Sequence, residues 1–330
     1  MKQLSFVGRS QLSRPFNWLI ILSLIIAALA VSPQPVQAAV NCNDPVVECI
    51  NGTISTNTTW VEGFVYVIQS NVTVAPGVTL TIQGGNHAIN RTVVKVEQGR
   101  YIDIQGTLIV DSTGGQDHEV IFTSLRDDSK GPVYNTPHDT NGDGNNTTPA
   151  KNDWAQIWLY DSTSSINRAI VRYSSQGIGI YNASNVDINP SITYSTFEQN
   201  WFGITLFTVG SFTGGVTSNI SSNSFSNNKF GIGTEASPNS SGSMRPTLSN
   251  NTFQANEILP LYFNGSTYPT YSNNQFIGSP TANQRLAVGL GGYFTSSGAL
   301  PKLSTNYEPS FDMPYVILNN MAITSGAVVT

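Results

Sequence analysis

Charge is the first thing this chain is short of. Only 11% of its 330 residues are Asp, Glu, Lys or Arg, and the formal net charge is −5. That balance builds no basic surface for a phosphate backbone or an anionic membrane, so nucleic acid is excluded as a partner. Histidine is scarce as well, and none stands at a spacing that metal-ligand or nucleophile chemistry uses. Cysteine occurs only as Cys42 and Cys49. In an oxidising compartment so close a pair closes a small loop, and with no histidine near them a metal site is the poorer reading. One apolar run stands out, the 14 residues from Trp18 to Val31. It is short of the ~18 to 20 residues that span a bilayer. Lys2, Arg9 and Arg14 precede it and Val36-Gln37-Ala38-Ala39 follows. This is the order of a secretory signal peptide cleaved after Ala38, which predicts a secreted or cell-surface protein with no membrane insertion after cleavage.

Helical periodicity is missing too, and what replaces it is a repeat. AIVRYSSQGI, STFEQNWFGI, NSFSNNKFGI, NTFQANEILP and NQFIGS place Val171, Phe197, Phe225, Phe253 and Phe276 in one register, at spacings of 26, 28, 28 and 23 residues. Gly177, Gly203 and Gly231 stand six after their anchors, with Leu259 at that position in the fourth copy. Each copy is rich in Asn, Ser, Thr and Gly, and its apolar residues alternate as strand residues do. Units of this length cannot bury their own apolar faces and must stack. Low charge alone would suit a disordered chain, but the recurring Ile, Val and Phe do not. Asparagines keep register as well: Asn200, Asn228 and Asn256 lie three after the anchor, and Asn223, Asn251 and Asn274 two before it. Stacked corner asparagines form structural amide ladders, and a ligand-reading polar row is the alternative.

The expectation is an all-β, right-handed parallel β-helix of about eight coils. Residues 39–65 read as a cap carrying the Cys42–Cys49 loop, 66–284 as the helix, and 285–314 as a connecting segment. Early in the helix PGVTLTIQGG at 76–85 matches QGRYIDIQGT at 98–107, a 22-residue offset that suggests shorter first coils. The pattern breaks between the strand at Val120 to Ser124 and its resumption at Asp153-Trp154-Ala155-Gln156-Ile157. An insertion at about 125–152 fills the gap with Asp127, Asp128, Asp139 and Asp143.

From about residue 60 the chain resembles bacterial secreted right-handed parallel β-helix repeat proteins, whose architecture is shared with pectate lyases. The resemblance rests on YVIQSNVTVAPGVTLTI, IFTSLRDD, DTNGDG and DWAQI, and covers roughly 60–280. It implies a fold and leaves function open, because this fold hosts lyases, hydrolases, adhesins and passive stalks. YVILNNMAITSGAVVT at 315–330 aligns without gaps on YVIQSNVTVAPGVTLT at 66–81. It reads as the start of a second, truncated unit, with a terminal capping strand as the alternative.

Asp139, Asn141, Asp143 and Asn145, with Gly144 sixth, reproduce the opening of an EF-hand-like calcium loop. Ala150 stands where that loop has its bidentate glutamate, so either Asp153 or another acid of the loop completes the shell, or the affinity is weak, and the calcium's role is structural. A plain Asn/Asp/Gly turn is the bland reading. Trp154, Trp158, Tyr160 and Trp201 near the insertion form a candidate sugar platform, with core packing as the alternative. Alternation puts Trp158 and Tyr160 on one face and Ile157 and Leu159 on the other. A lyase needs a base and cations beside a uronate, and a glycosidase two opposed carboxylates. Between Tyr173 and Gln284 the only charged residues are Asp187, Glu198, Lys229, Glu235, Arg245 and Glu257. His118, His138 and Arg126 with the insertion's acids are the remaining candidates for a catalytic site. The sequence therefore reads as a non-catalytic extracellular module, a spacer, adhesin or segment binding polysaccharide or cell-surface glycan. A polysaccharide lyase or glycoside hydrolase is the alternative.

Overall fold

Glycine, asparagine and serine at the corners, with two or three alternating apolar residues between them, make strands too short to be stable alone. Their hydrogen bonds must come from neighbouring layers. In the computed structural model, which describes residues 40–85, 90–112, 119–278, 286–304, 312–324 and 326–330, this is what they do. The signal peptide expected at 1–38 and His118 lie outside the described residues. Every regular element among those described is a strand, gathered into parallel sheets of 17 and eight strands.

Three strands follow one another and then recur. Ser165–Asn167, Ala169–Arg172 and Ile178–Asn182 are followed by Ser191–Thr193, Thr196–Glu198 and Phe202–Thr208, each pairing with its counterpart. The first of each set joins the eight-stranded sheet and the other two the larger one. Val171, Phe197, Phe225, Phe253 and Phe276 are successive partners, as the repeat predicts. The four phenylalanine rings stack with centroids 4.9 to 5.1 Å apart, matching the ~4.8 Å between hydrogen-bonded strands. Both asparagine rows are structural ladders. Nδ2 of Asn200 donates to Oδ1 of Asn228 at 3.1 Å, and Asn228 likewise to Asn256. Asn223 donates to Asn251 at 3.1 Å and Asn251 to Asn274 at 2.8 Å. Each amide also donates to a carbonyl of the preceding set, as Asn228 does to Phe197 at 2.9 Å. The side chains are buried, so these bonds cannot be replaced by water.

Three expectations need correcting. The 22-residue match does not mark shorter layers: Leu80 pairs with Leu108 and Ile82 with Val110, while Ile102 and Ile104 pair with Val72 and Val74. The two matching stretches lie in different sheets and share only their turn chemistry, with Gly77 and Gly99 both at positive φ (77° and 72°). In the fourth copy Phe230 pairs with Leu259, so Pro260 and not Leu259 stands opposite Gly231. An extra corner residue, Ile258, causes the slip. A Cβ on Gly231 would lie 2.5 Å from the Pro260 carbonyl oxygen and 2.8 Å from the Phe253 ring, which is why glycine stands there. Residues 288–294, assigned to a connecting segment, continue the stack as the strand Val288–Phe294 paired with Leu259–Asn264.

At the N-terminal end Val47–Ile54 and Thr58–Trp60 pair with Val65–Val74 and Thr79–Gln83. The Cys42–Cys49 disulfide is formed. Trp60 and Tyr66 stack at 4.7 Å, covering the end of the core. The insertion, between Ser124 and Ile157, packs on the outer face of the early strands. There Val47, Val65, Val67, Val93, Ile121 and Leu125 form a second apolar cluster.

Candidate functional site

The insertion is stapled at its root. Asp153 accepts from Ser124 Oγ at 2.9 Å and from the Ala150 amide at 3.1 Å, and pairs with Arg126 at 3.3 Å. Asp127, at the other end, accepts from Thr123 Oγ1 at 2.6 Å and faces the Arg172 guanidinium at 3.7 Å. These two acids are accounted for by protein partners. Asp153 is thereby removed from the proposed ligand shell: it ties the exit of the insertion to its start.

Asp128 is different. The His138 amide donates to its backbone carbonyl at 2.8 Å, which draws the two arms of the loop together. Carboxylate oxygens of Asp128, Asp139 and Asp143 then all fall within 4.8 Å of one another. Asp128 is only 8% exposed, and neither of its carboxylate oxygens has a hydrogen-bond donor. A buried carboxylate with no donor is costly unless a cation neutralises it. Burial pushes its carboxyl up to about 6; Lys95 opposes the shift, and the acids around it reinforce it. Lys95 reaches this region from the outer face of Val93–Val96, fully buried, and donates to the His138 carbonyl at 2.7 Å. Burial lowers its ammonium to about 8 against the pull of Asp127, Asp128 and Asp139. Three carboxylates and one ammonium leave two negative charges, the charge a divalent ion balances.

The rest of the loop is shaped by its own hydrogen bonds. The Asp143 and Gly144 amides donate to Asp139 at 3.1 and 2.9 Å, and the Asn146 and Thr147 amides to Asp143 at 3.0 and 3.1 Å. Burial works against the Asp143 charge, but bonds from Thr147 and the backbone outweigh it and hold the carboxyl below its ordinary value. Asn141 is buried; its Oδ1 accepts from the Asp143 amide at 3.3 Å and its Nδ2 donates to Asp143 at 2.9 Å, so it orders the loop. Asn145 is an exposed corner at φ 74°. Of the five residues assigned from sequence, Asp139 and Asp143 therefore meet, and the third acid is Asp128.

No family model, curated protein or solved structure matches this chain.

The aromatics divide. Trp154 is fully buried, its Nε1 donating to the Arg172 carbonyl at 2.8 Å, so it belongs to the core. Alternation holds from Ile157 on: Ile157 and Leu159 are buried inside, while Trp158 and Tyr160 share the outer face with rings 6.4 Å apart. Tyr181 and Phe207, from the next two sets, lie 5.5 and 5.2 Å from Trp158 and complete a four-ring cluster. Trp158 lies flat over Gly179, where a Cβ would come within 2.5 Å of the ring. Tyr160 is 37% exposed. Tyr181 and Phe207 were missed, although the repeat shows them in register: both follow an inward residue, Ile180 and Leu206. Trp201, 42% exposed, sits beneath Lys229 at 5.8 Å.

Two acids of the later sets, Glu198 and Glu257, are neutralised. Glu198 pairs with Arg172 at 3.5 Å. Glu257 pairs with Lys151 at 3.1 Å and with Lys229. Burial raises the Glu257 carboxyl, but the hydrogen bonds from both lysines outweigh it and hold it below its ordinary value. His138 faces Asp44 at 3.6 Å, tying the insertion to the N-terminal segment. Burial, reinforced by Lys95, lowers its imidazole below the usual range against Asp44 and Asp139.

Proposed function

We propose that this chain is a right-handed parallel β-helix serving outside the cell as a non-catalytic module, with a calcium ion bracing its insertion. The order of the strands and their parallel pairing support the helix. Crossovers between parallel strands of one sheet are right-handed in about 98% of cases, which supports the hand. The observation that carries the functional reading is how the acids are used. Asp127, Asp153, Glu198 and Glu257 are spent on ion pairs, and the donorless acid Asp128 faces Asp139 and Asp143 on a loop that covers the scaffold. That is chemistry for holding a loop. A lyase or glycosidase would need an unneutralised base or an opposed acid pair over the sheet, and Asp103 opposite Trp158 and Glu235 opposite Phe207 are the acids such a reading would have to use. The calcium ligands are Asp128, Asp139 and Asp143, all hard oxygen donors suited to that ion.

The Trp158, Tyr160 and Tyr181 rings, backed by the buried Phe207, supply the surface on which such a module would hold a neutral polysaccharide. Incubating the chain from Ala39 to Thr330 with neutral and acidic polysaccharides plus calcium tests both parts. The expected result is retardation in affinity electrophoresis with no new reducing ends or unsaturated products. Tyr160→Ala should weaken that binding about tenfold, the size of one lost ring contact. Turnover that disappears when the insertion's acids are altered would overturn the non-catalytic reading.

A further inference from the structure

The alternation that turns Ile204 and Leu206 into the core turns Thr205 and Phe207 outward. Register carries the outward positions across the large sheet. Asp103 pairs with Trp158, Trp158 with Gly179, Gly179 with Thr205 and Thr205 with Gly233. Two residues further along the strands, Tyr181 pairs with Phe207, Phe207 with Glu235 and Glu235 with Asn264. The glycines leave room for rings. Trp158 covers Gly179, and a Cβ on Gly233 would come within 2.5 Å of the Phe202 ring. Phe202 stacks on Phe230 at 4.7 Å, and Phe230 meets Tyr262 at 5.6 Å. The aromatic face therefore runs from the Trp158 cluster to the strand Leu259–Asn264.

Its polar groups are short of donors. Asp103 accepts from Gln105 at 2.8 Å, and Glu235 is exposed. Neither is in an ion pair among the described residues, and none of the strands that form this face contains Lys or Arg. Oδ1 of Asn264 and the hydroxyl of Thr205, a side chain only 4% exposed, have no hydrogen-bond partner. A buried polar atom left unpaired is costly, and a ligand group that reaches it removes the cost. Asp103 and Glu235 stand four strand spacings apart, roughly 19 Å along the stack. That is beyond the about 5 to 10 Å of a glycosidase pair, and several sugars of one chain cover it.

Resting on the glycan-binding reading, we infer that the preferred occupant of this face is a linear polysaccharide carrying free amino groups, its sugars on the rings and its ammonium groups at Asp103 and Glu235. A neutral chain uses the rings alone. An ammonium gains at both acids and is attracted to the ring faces as well. A uronate chain meets charge of its own sign and is turned away.

The test compares one backbone with and without amines. Oligomers of N-acetylglucosamine, and the same oligomers after deacetylation, are titrated into the chain from Ala39 to Thr330 at fixed calcium and physiological ionic strength. The deacetylated form should bind about tenfold tighter, and Asp103→Asn and Glu235→Gln should each reduce that preference about two- to fivefold, the size of an exposed ion pair. Tyr160→Ala should weaken both forms. Asp111→Asn, at an exposed acid of the eight-stranded sheet, should leave the preference unchanged. Equal affinity for the two forms, with the acetylated one still held through Tyr160, would overturn this inference and leave the aromatic platform standing. A preference that falls as far with Asp111→Asn would also overturn it, as general attraction to an acidic protein. Binding of neither form would overturn the platform and the inference together.

Discussion

Asp128→Asn should have opposite effects with and without calcium. In excess chelator at neutral pH the variant is at least as stable as the parent chain, and in calcium it is the less stable of the two. The first half follows from burial: Asp128 is enclosed, lacks a donor and has its carboxyl pushed up to about 6, so its charged form opposes folding. A shift of that size corresponds to roughly 2–3 kcal/mol at neutral pH, which the neutral amide avoids. The second half follows from linkage. A ligand present at a thousand times its Kd adds about 4 kcal/mol to the folded state, which the variant forfeits with the site. Thermal unfolding of both proteins in calcium and in chelator reads the crossover. Destabilisation of equal size in both media would make Asp128 an ordinary buried residue. Asp153→Asn should behave in that ordinary way, since Asp153 holds Arg126, Ser124 and Ala150 whether or not an ion is bound.

Asn228→Ala should cost about 3–5 kcal/mol, although it removes only a small polar side chain. Asn228 is fully buried; its Oδ1 accepts from the Asn200 amide at 2.9 Å and its Nδ2 donates to the Phe197 carbonyl at 2.9 Å. Alanine leaves both of those groups unpaired inside the protein, at about 1–3 kcal/mol each, and breaks the ladder to Asn256. Asn227, next to it, is an exposed corner residue at φ 54°. Asn227→Gly should fall within about 0.5 kcal/mol of the parent, because glycine accepts that backbone freely. Chemical denaturation of the two variants separates ladder from corner. A small cost at Asn228 would mean that water or relaxation satisfies the orphaned groups.

What could be read from the sequence depended on whether a signal was repeated. The Phe197-to-Phe276 stack and both asparagine rows were legible because each position recurs four or three times at the repeat period, and packing demands the same residue each time. The 22-residue match misled for a physical reason: glycine at positive φ followed by alternating apolar residues is the chemistry of any corner, so it recurs within one set of strands as well as between sets. Trp154 was misplaced because alternation orients side chains only inside a strand, and the strand begins at Ile157. The insertion has no repeat to average over. Its motif revealed Asp139 and Asp143, but Asp128 and Lys95 reach the site through the long-range contacts of His138, with the Asp128 backbone and the Lys95 ammonium. Nothing local in the sequence encodes those contacts. Asp153 lies close in sequence to the motif yet is turned away by Arg126.

The central claim is that Asp128, Asp139 and Asp143 hold one calcium ion. Calorimetric titration of calcium into the chain from Ala39 to Thr330, beside Asp128→Asn, tests it most directly. The account predicts one site per chain, lost in the variant, with Kd at least about a hundredfold below the calcium concentration at which the crossover is read. Absence of binding heat down to millimolar affinity, or binding untouched by Asp128→Asn, would contradict it.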